Sequence, residues 1–205
     1  LVILGYHAKD SYGKILENEK IPVYYVDAGH VVTYKSVKEL TDVLIEAFGK
    51  DNAGADKIKE CFDNLEARME EMRKENAGKK VMVLQSAPPR HFIQNKEGTL
   101  GSMADMLGYD NVYKNTESSL ALLDREQALG YEPDLLLCVG GSATAEEHQQ
   151  LMEEDFAKNP DYWNSIKAIR EGHVIYLPVG YIASGGIEIV DRINSLIDML
   201  ETAEK

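Results

Sequence analysis

The stretch SAPPRHFIQN, residues 86–95, sets an arginine beside a histidine directly after two prolines and an apolar run. Arg90 offers a planar fork of donors that fits carboxylates and other anionic oxygens. His91 can ligate a metal or hydrogen-bond a ligand oxygen. Pro88 and Pro89 fix φ and reduce the entropy lost when a binding loop is ordered. Plainer roles are open to both residues: a surface ion pair for Arg90, packing beneath the loop for His91. Side chains of the same kind follow other apolar runs: Tyr6 and His7 after LVIL, Asp27 and His30 after VYYV, Ser142 with Gly140 and Gly141 after LLLCV, and Tyr181 after VIYLP. A phenolate or imidazole can bind metal, and Tyr181 can stack on a flat ligand. Each can equally cap a core. His148, in a charged helix, reads as solvated; His173 and Trp163 read as structural.

The elements that would position these groups follow from hydrophobic spacing. Residues 1–4 and 23–26 read as strands, about 11–19 and 36–48 as helices, with SVKE from Ser36 to Glu39 as a capping box. Strand-helix-strand at this spacing implies a parallel βαβ unit. Ile58, Phe62, Leu65, Met69 and Met72 recur at spacings of 4, 3, 4 and 3, one apolar stripe on a helix over 53–77. At 1.5 Å per residue it would span about 36 Å, as a rigid strut or a coiled-coil arm, closed by Gly78 in a left-handed cap. Beyond it, strands are expected at 80–85, 111–113, 134–139 and 173–177. Helices are expected at 99–107, 124–129, 145–157, 163–171 and 186–203. VMVLQ and LLLCV are continuously apolar, which marks parallel strands covered on both faces.

The chain has 205 residues, 44% hydrophobic and 28% charged, with net charge −13. That balance fits a packed globular core and excludes nucleic acid as a partner, since no basic patch relieves the charge. No run of about 18 apolar residues predicts a membrane-spanning helix. Cys61 and Cys138 are expected to be free, buried thiols. The chain starts LVILG without Met and reads as the middle of a longer protein.

DYWNSIKAIREGHVIYLP (161–178) resembles the terminal signature of the ABC-transporter substrate-binding proteins for iron–siderophore, heme and cobalamin. The signature residues are Trp163, Ile166, Ala168, Ile169, Gly172, Val174 and, one place late, Tyr176. LDREQALGYEPDLLLCVGG (123–141), TLGSMADMLGYDNVY (99–113) and IPVYYVD (21–27) are similar to three further elements of that family, in the same order. The resemblance implies an α/β fold: two Rossmann-like lobes with parallel sheets joined by one long helix. Residues 1–52 would be the remnant of a truncated N-terminal lobe whose first strands precede residue 1. Residues 53–78 would be the interlobe helix and 79–205 a complete C-terminal lobe.

The resemblance also implies function. Such proteins are not enzymes. They capture a metal chelate outside the cytoplasmic membrane and deliver it to an ABC permease and its ATPase. The site would be extracytoplasmic, with membrane contact only through a lipid anchor upstream of residue 1, as in a lipoprotein. No cofactor is implied; the ligand would be an iron chelate or heme-like molecule. It would lie between the lobes at the carboxyl ends of the strands, where open parallel sheets bind ligands. Arg90, His91, Tyr181, Tyr6, His7, His30 and Ser142 are then the candidate ligand-binding residues. Family members meet the permease through acidic residues, for which Glu97 and Asp105 are candidates here.

Three other readings stay open. One is a sensor or scavenger of a chelate or a molybdate-like oxyanion without transport. The second is a nitrogenase- or chelatase-like metal enzyme, although no CxxC or clustered cysteines are present for an iron–sulfur cluster. The third is a serine hydrolase, disfavoured because VGGSAT places Thr144 where G-x-S-x-G requires glycine.

Overall fold

The first two apolar runs pair with each other. A computed structural model describes residues 2–26, 32–49, 53–115, 117–183 and 186–203. In it β1 (Val2–Gly5) and β2 (Val23–Val26) form a two-stranded parallel sheet, from Val2↔Val23 to Gly5↔Val26. Two short helical turns (6–8 and 9–13) and α1 (Lys14–Asn18) connect them, in place of the single helix expected at 11–19. α2 (Tyr34–Phe48) starts two residues earlier than its spacing suggested. Its cap is Thr33: the Ser36 N–H donates to Thr33 Oγ1 at 3.3 Å and the Thr33 N–H donates to Ser36 Oγ at 3.1 Å. This replaces the expected Ser36–Glu39 box and satisfies two otherwise orphaned amides.

α3 (Ala53–Glu75) is the long helix; of its expected stripe Phe62, Leu65, Met69 and Met72 are buried in the core and Ile58 is partly buried against it. Gly78 takes φ +85, the left-handed turn that the sequence placed there. The chain then enters β3 (Lys80–Ala87) and turns through Pro88-Pro89, joined by a cis bond, into β4 (Arg90–Gln94). α4 (Thr99–Met106), β5 (Asp110–Asn111), β6 (Leu120–Leu122), α5 (Arg125–Ala128) and β7 (Leu135–Gly140) follow. Next come α6 (Ala145–Phe156), α7 (Pro160–Trp163), α8 (Lys167–Arg170), β8 (Val174–Leu177), α9 (Gly180–Ala183) and α10 (Glu188–Ala203). The helix expected at 163–171 is two short ones, because Ile166 is extended at ψ 119 between them.

The second sheet has the order β6-β4-β3-β7-β8, with β5 alongside the start of β3. β3, β7 and β8 are parallel; β4 runs antiparallel to β3 and to β6. Two departures from the expected strands matter. The segment after VMVLQ is a hairpin and not a loop, with Ala87 opposite Arg90. β6 was not foreseen at all, since three residues carry too little pattern to register.

Alternate residues of the central strands feed different cores, as a period of two requires. Val81, Val83, Leu135, Leu137 and Val139 pack with α3, α4 and α10; Met82, Leu84, Leu136 and Cys138 pack with Met152, Trp163 and Ile166. Both faces are covered, and that is why VMVLQ and LLLCV carry no alternation. Tyr34 and Val37 of α2 join the first core, with Tyr34 edge-on to Phe62 at 5.6 Å. Among the described residues no helix is long and apolar enough to cross a membrane.

Candidate functional site

β3, β7 and β8 end side by side, and their carboxyl ends form one rim of the larger sheet. The rim is built from the Pro88–Arg90 turn, the loop after β7 and the loop after β8. The last two are tied together: the Val179 N–H donates to the Ser142 carbonyl at 2.9 Å. Arg90, first residue of β4, stands exposed at the hairpin tip. Ser142 is half-buried on the same rim. Gly140 leads into its loop under a strict steric limit. A Cβ there would lie 2.3 Å from the His148 ring and 2.7 Å from the Ser86 carbonyl oxygen, so no other residue fits without displacing backbone.

His91 does not belong to the rim. It is 4% exposed and points to the opposite side of β4 from Arg90, into the second core. Its Nδ1 lies 3.0 Å from Ser86 Oγ and its ring meets Trp163 edge-on at 5.0 Å. Nε2 approaches Asp155 Oδ2 of α6 to 3.1 Å, near enough for an ionic contact but not aligned for a hydrogen bond. Burial pushes its pKa down, with Asp155 opposing. The imidazole is thus held inside the second core, away from the rim.

Tyr181 is also withdrawn: it is 1% exposed in the first core. Burial raises the pKa of its phenol, with the nearby Arg192 charge opposing. Its ring packs in that core and is not presented at the rim. Tyr6 is exposed, edge-on to Tyr25 at 6.2 Å, with Lys9 Nζ 5.0 Å from its ring centre. His7 is exposed beside it, packed against Gly5. These two follow the smaller sheet, as the sequence indicated. His30 and Asp27 lie outside the described residues.

Glu97 and Asp105 are exposed and line one small hollow of about 70 Å³ with Asn95, Lys96 and Lys114. The hollow lies beside the carboxyl end of β4, at the other end of that strand from Arg90. A larger cavity, about 580 Å³, opens at the amino-terminal rim between Lys79, Asp134, Lys167 and His173. Its charges are internally paired. Lys167 Nζ donates to Asp134 Oδ1 at 2.6 Å and the Lys80 N–H donates to Asp134 Oδ2 at 2.7 Å. Those bonds, Lys167 first, hold the Asp134 carboxyl below its usual pKa.

Beneath the carboxyl-terminal rim lies a polar group that loop reading missed. His148 of α6 is completely buried, contrary to the expectation of a solvated residue. Its Nε2 is 3.5 Å from Cys138 Sγ, and its Nδ1 has no partner. Burial lowers its pKa and raises that of the Cys138 thiol to about 12. Cys138 is thus an inert core thiol, as expected, whereas Cys61 is exposed on α3 and not core-type. Among the described residues no group of three or more His, Cys, Asp or Glu is placed to hold a bare metal ion.

Comparison with known proteins agrees with this architecture. A family model described as Periplasmic binding protein matches residues 1–180. The high-affinity heme uptake system protein IsdE of Staphylococcus aureus is 23% identical over 163 residues, 76% of this chain and 55% of that protein. The chain thus spans about half the length of the curated relatives it matches. The structure of S. aureus IsdE complexed with heme superposes with a TM-score of 0.67 at 19% identity, covering 97% of this chain and 75% of that one. The petrobactin-binding protein YclQ of Bacillus subtilis gives 0.68 at 24% identity, covering 97% and 69%. Those likenesses establish a shared α/β fold with solved binding proteins. With the family model matched over most of its length, the chain belongs to the Periplasmic binding protein family.

Proposed function

We propose that the chain is part of the substrate-binding component of an ABC importer, which captures a metal chelate and delivers it to a membrane permease and its ATPase. The observation that carries this reading is the family match over residues 1–180, joined to a mixed sheet whose parallel strands β3, β7 and β8 end in a rim that bears Arg90. Relatives bearing the names of heme, petrobactin and catecholate-siderophore binders support an iron chelate as ligand. The capture would be extracytoplasmic and without catalysis. The ligand would rest against the Pro88–Arg90 turn and the Ser142 loop on one side, and against the Tyr6–His7 segment on the other.

On this reading residues 1–52 belong to an N-terminal lobe, 53–78 to the interlobe helix and 79–205 to the C-terminal lobe. Exposed Glu97 and Asp105 are the acidic residues offered for permease docking on the C-terminal lobe. The experiment is a thermal-shift panel of hemin, cobalamin, a ferric catecholate, a ferric hydroxamate and molybdate. A ligand that binds only the native state raises Tm by mass action. A shift with an iron chelate and none with molybdate supports the reading; a shift with molybdate alone replaces it by an oxyanion binder.

A further inference from the structure

Arg192 stands at the same rim and has no ionic partner among the described residues. It begins the second turn of α10. The first turn of that helix lies near the carboxyl ends of the strands, whereas Leu200 and Ala203 reach the opposite rim beside Asp134 and His173. Helical side chains lean toward the amino end of their helix, which carries the guanidinium toward the carboxyl-terminal rim. Its position there is fixed by two contacts. A Cβ on Gly180, three residues past the end of β8, would lie 2.7 Å from Arg192 Cζ, so the guanidinium rests on that backbone. The Tyr181 ring lies 5.8 Å from the same carbon.

Arg68 shows what a structural arginine looks like in this chain: it is bonded to Asn194 at 2.8 Å and to Asp198 at 2.6 Å. Arg192 is half-exposed, in a chain with 35 acidic and 22 basic residues, and its contacts among the described residues are the Tyr181 ring and the Gly180 backbone. A guanidinium braced on one face by an aromatic ring keeps its edge N–H groups free. That edge matches a carboxylate in a two-pronged geometry.

We propose that Arg192 is a specificity-determining residue of the chelate site, taking a carboxylate carried on the periphery of the ligand. The assignment rests on the rim being the ligand site. It gives buried Tyr181 a definite part, as the plate that holds the guanidinium in place and not as a ligand contact. It also orders the ligands: carboxylate-bearing chelates bind, and neutral trihydroxamate chelates gain nothing from this residue.

The test is titration of the protein and of Arg192→Gln and Arg192→Lys with hemin, hemin dimethyl ester and ferric citrate, followed by absorbance and tryptophan fluorescence. Arg192→Gln is expected to weaken the carboxylate-bearing probe that binds by at least tenfold while leaving the dimethyl ester within twofold. Arg192→Lys, with charge but no fork, is expected to fall between. Equal weakening of acid and ester, or unchanged binding of both, overturns the assignment. A lowered urea midpoint in Arg192→Gln with unchanged affinity also overturns it, because the arginine then serves packing on Tyr181. A wild-type protein that binds none of the three probes but does bind a neutral ferric trihydroxamate refutes Arg192 alone. One that binds no iron chelate refutes the function proposed for the rim and Arg192 with it.

Discussion

Two buried imidazoles make the fold sensitive to mild acid. His91 and His148 are both enclosed, and burial lowers both pKa values from 6.5. The unfolded chain takes up a proton at each near that value; the native chain resists. A group with a depressed folded-state pKa contributes its full stability above the unfolded value and loses it as pH falls, so the loss begins below about pH 6.5. Each refused proton costs about 1.4 kcal/mol per pH unit below the unfolded value, so the loss from the two sites by pH 5.5 is at most about 3 kcal/mol. His148 supplies the firmer share, since its Nδ1 has no partner to receive the charge. Asp155, 3.1 Å from His91, reduces the share of His91. Urea denaturation at half-unit steps from pH 8 to 5.5 measures the slope, with m checked for constancy. His148→Gln should flatten it by about half or more. A flat profile in the wild type, or a slope unchanged in a His91→Gln/His148→Gln double variant, refutes the reasoning.

Other outcomes follow from the same geometry. Gly140→Ala forces a methyl against the His148 ring and the Ser86 carbonyl and should destabilise by about 1–3 kcal/mol in urea titration. Arg68→Ala cuts the bridge from α3 to Asn194, Asp198 and Glu201 on α10. Its carboxylate partners are more than half exposed, so the loss should be only about 0.5–1 kcal/mol and shrink in 1 M salt. In the native protein Ellman's reagent should titrate Cys61 at once and Cys138 only after denaturation.

The parts of this fold that the sequence made legible are those where one physical demand dominates. VMVLQ and LLLCV had to be central strands because nothing but burial on both faces suits them. Phe62, Leu65, Met69 and Met72 had to share a helix face. Arg90 was found because a strand end followed by an arginine implies a rim position whatever the turn. The turn itself was misread. Two prolines suggested a loop, but they make a two-residue hairpin, and the period of two then sends His91 inward while Arg90 stays out.

His148 was obscured by its Glu- and Gln-rich neighbours, although Met152 and Asp155, four and seven residues on, mark the same buried face. Tyr181 follows a strand end yet sits inside, because α9 folds it back against α10. Arg192 was passed over because it is a helical polar residue far along the chain from every rim loop. Only the packing of α10 against Gly180 brings it there.

On the proposed function an iron chelate binds at the carboxyl-terminal rim of the larger sheet. The direct test is chelate titration of wild type and Arg90→Gln, using whichever member of the thermal-shift panel raises Tm. The wild type should bind saturably and the variant should lose at least tenfold in affinity, about 1.4 kcal/mol or more, with the urea midpoint unchanged. Equal affinity in the two proteins, or no saturable binding of any iron chelate, contradicts it.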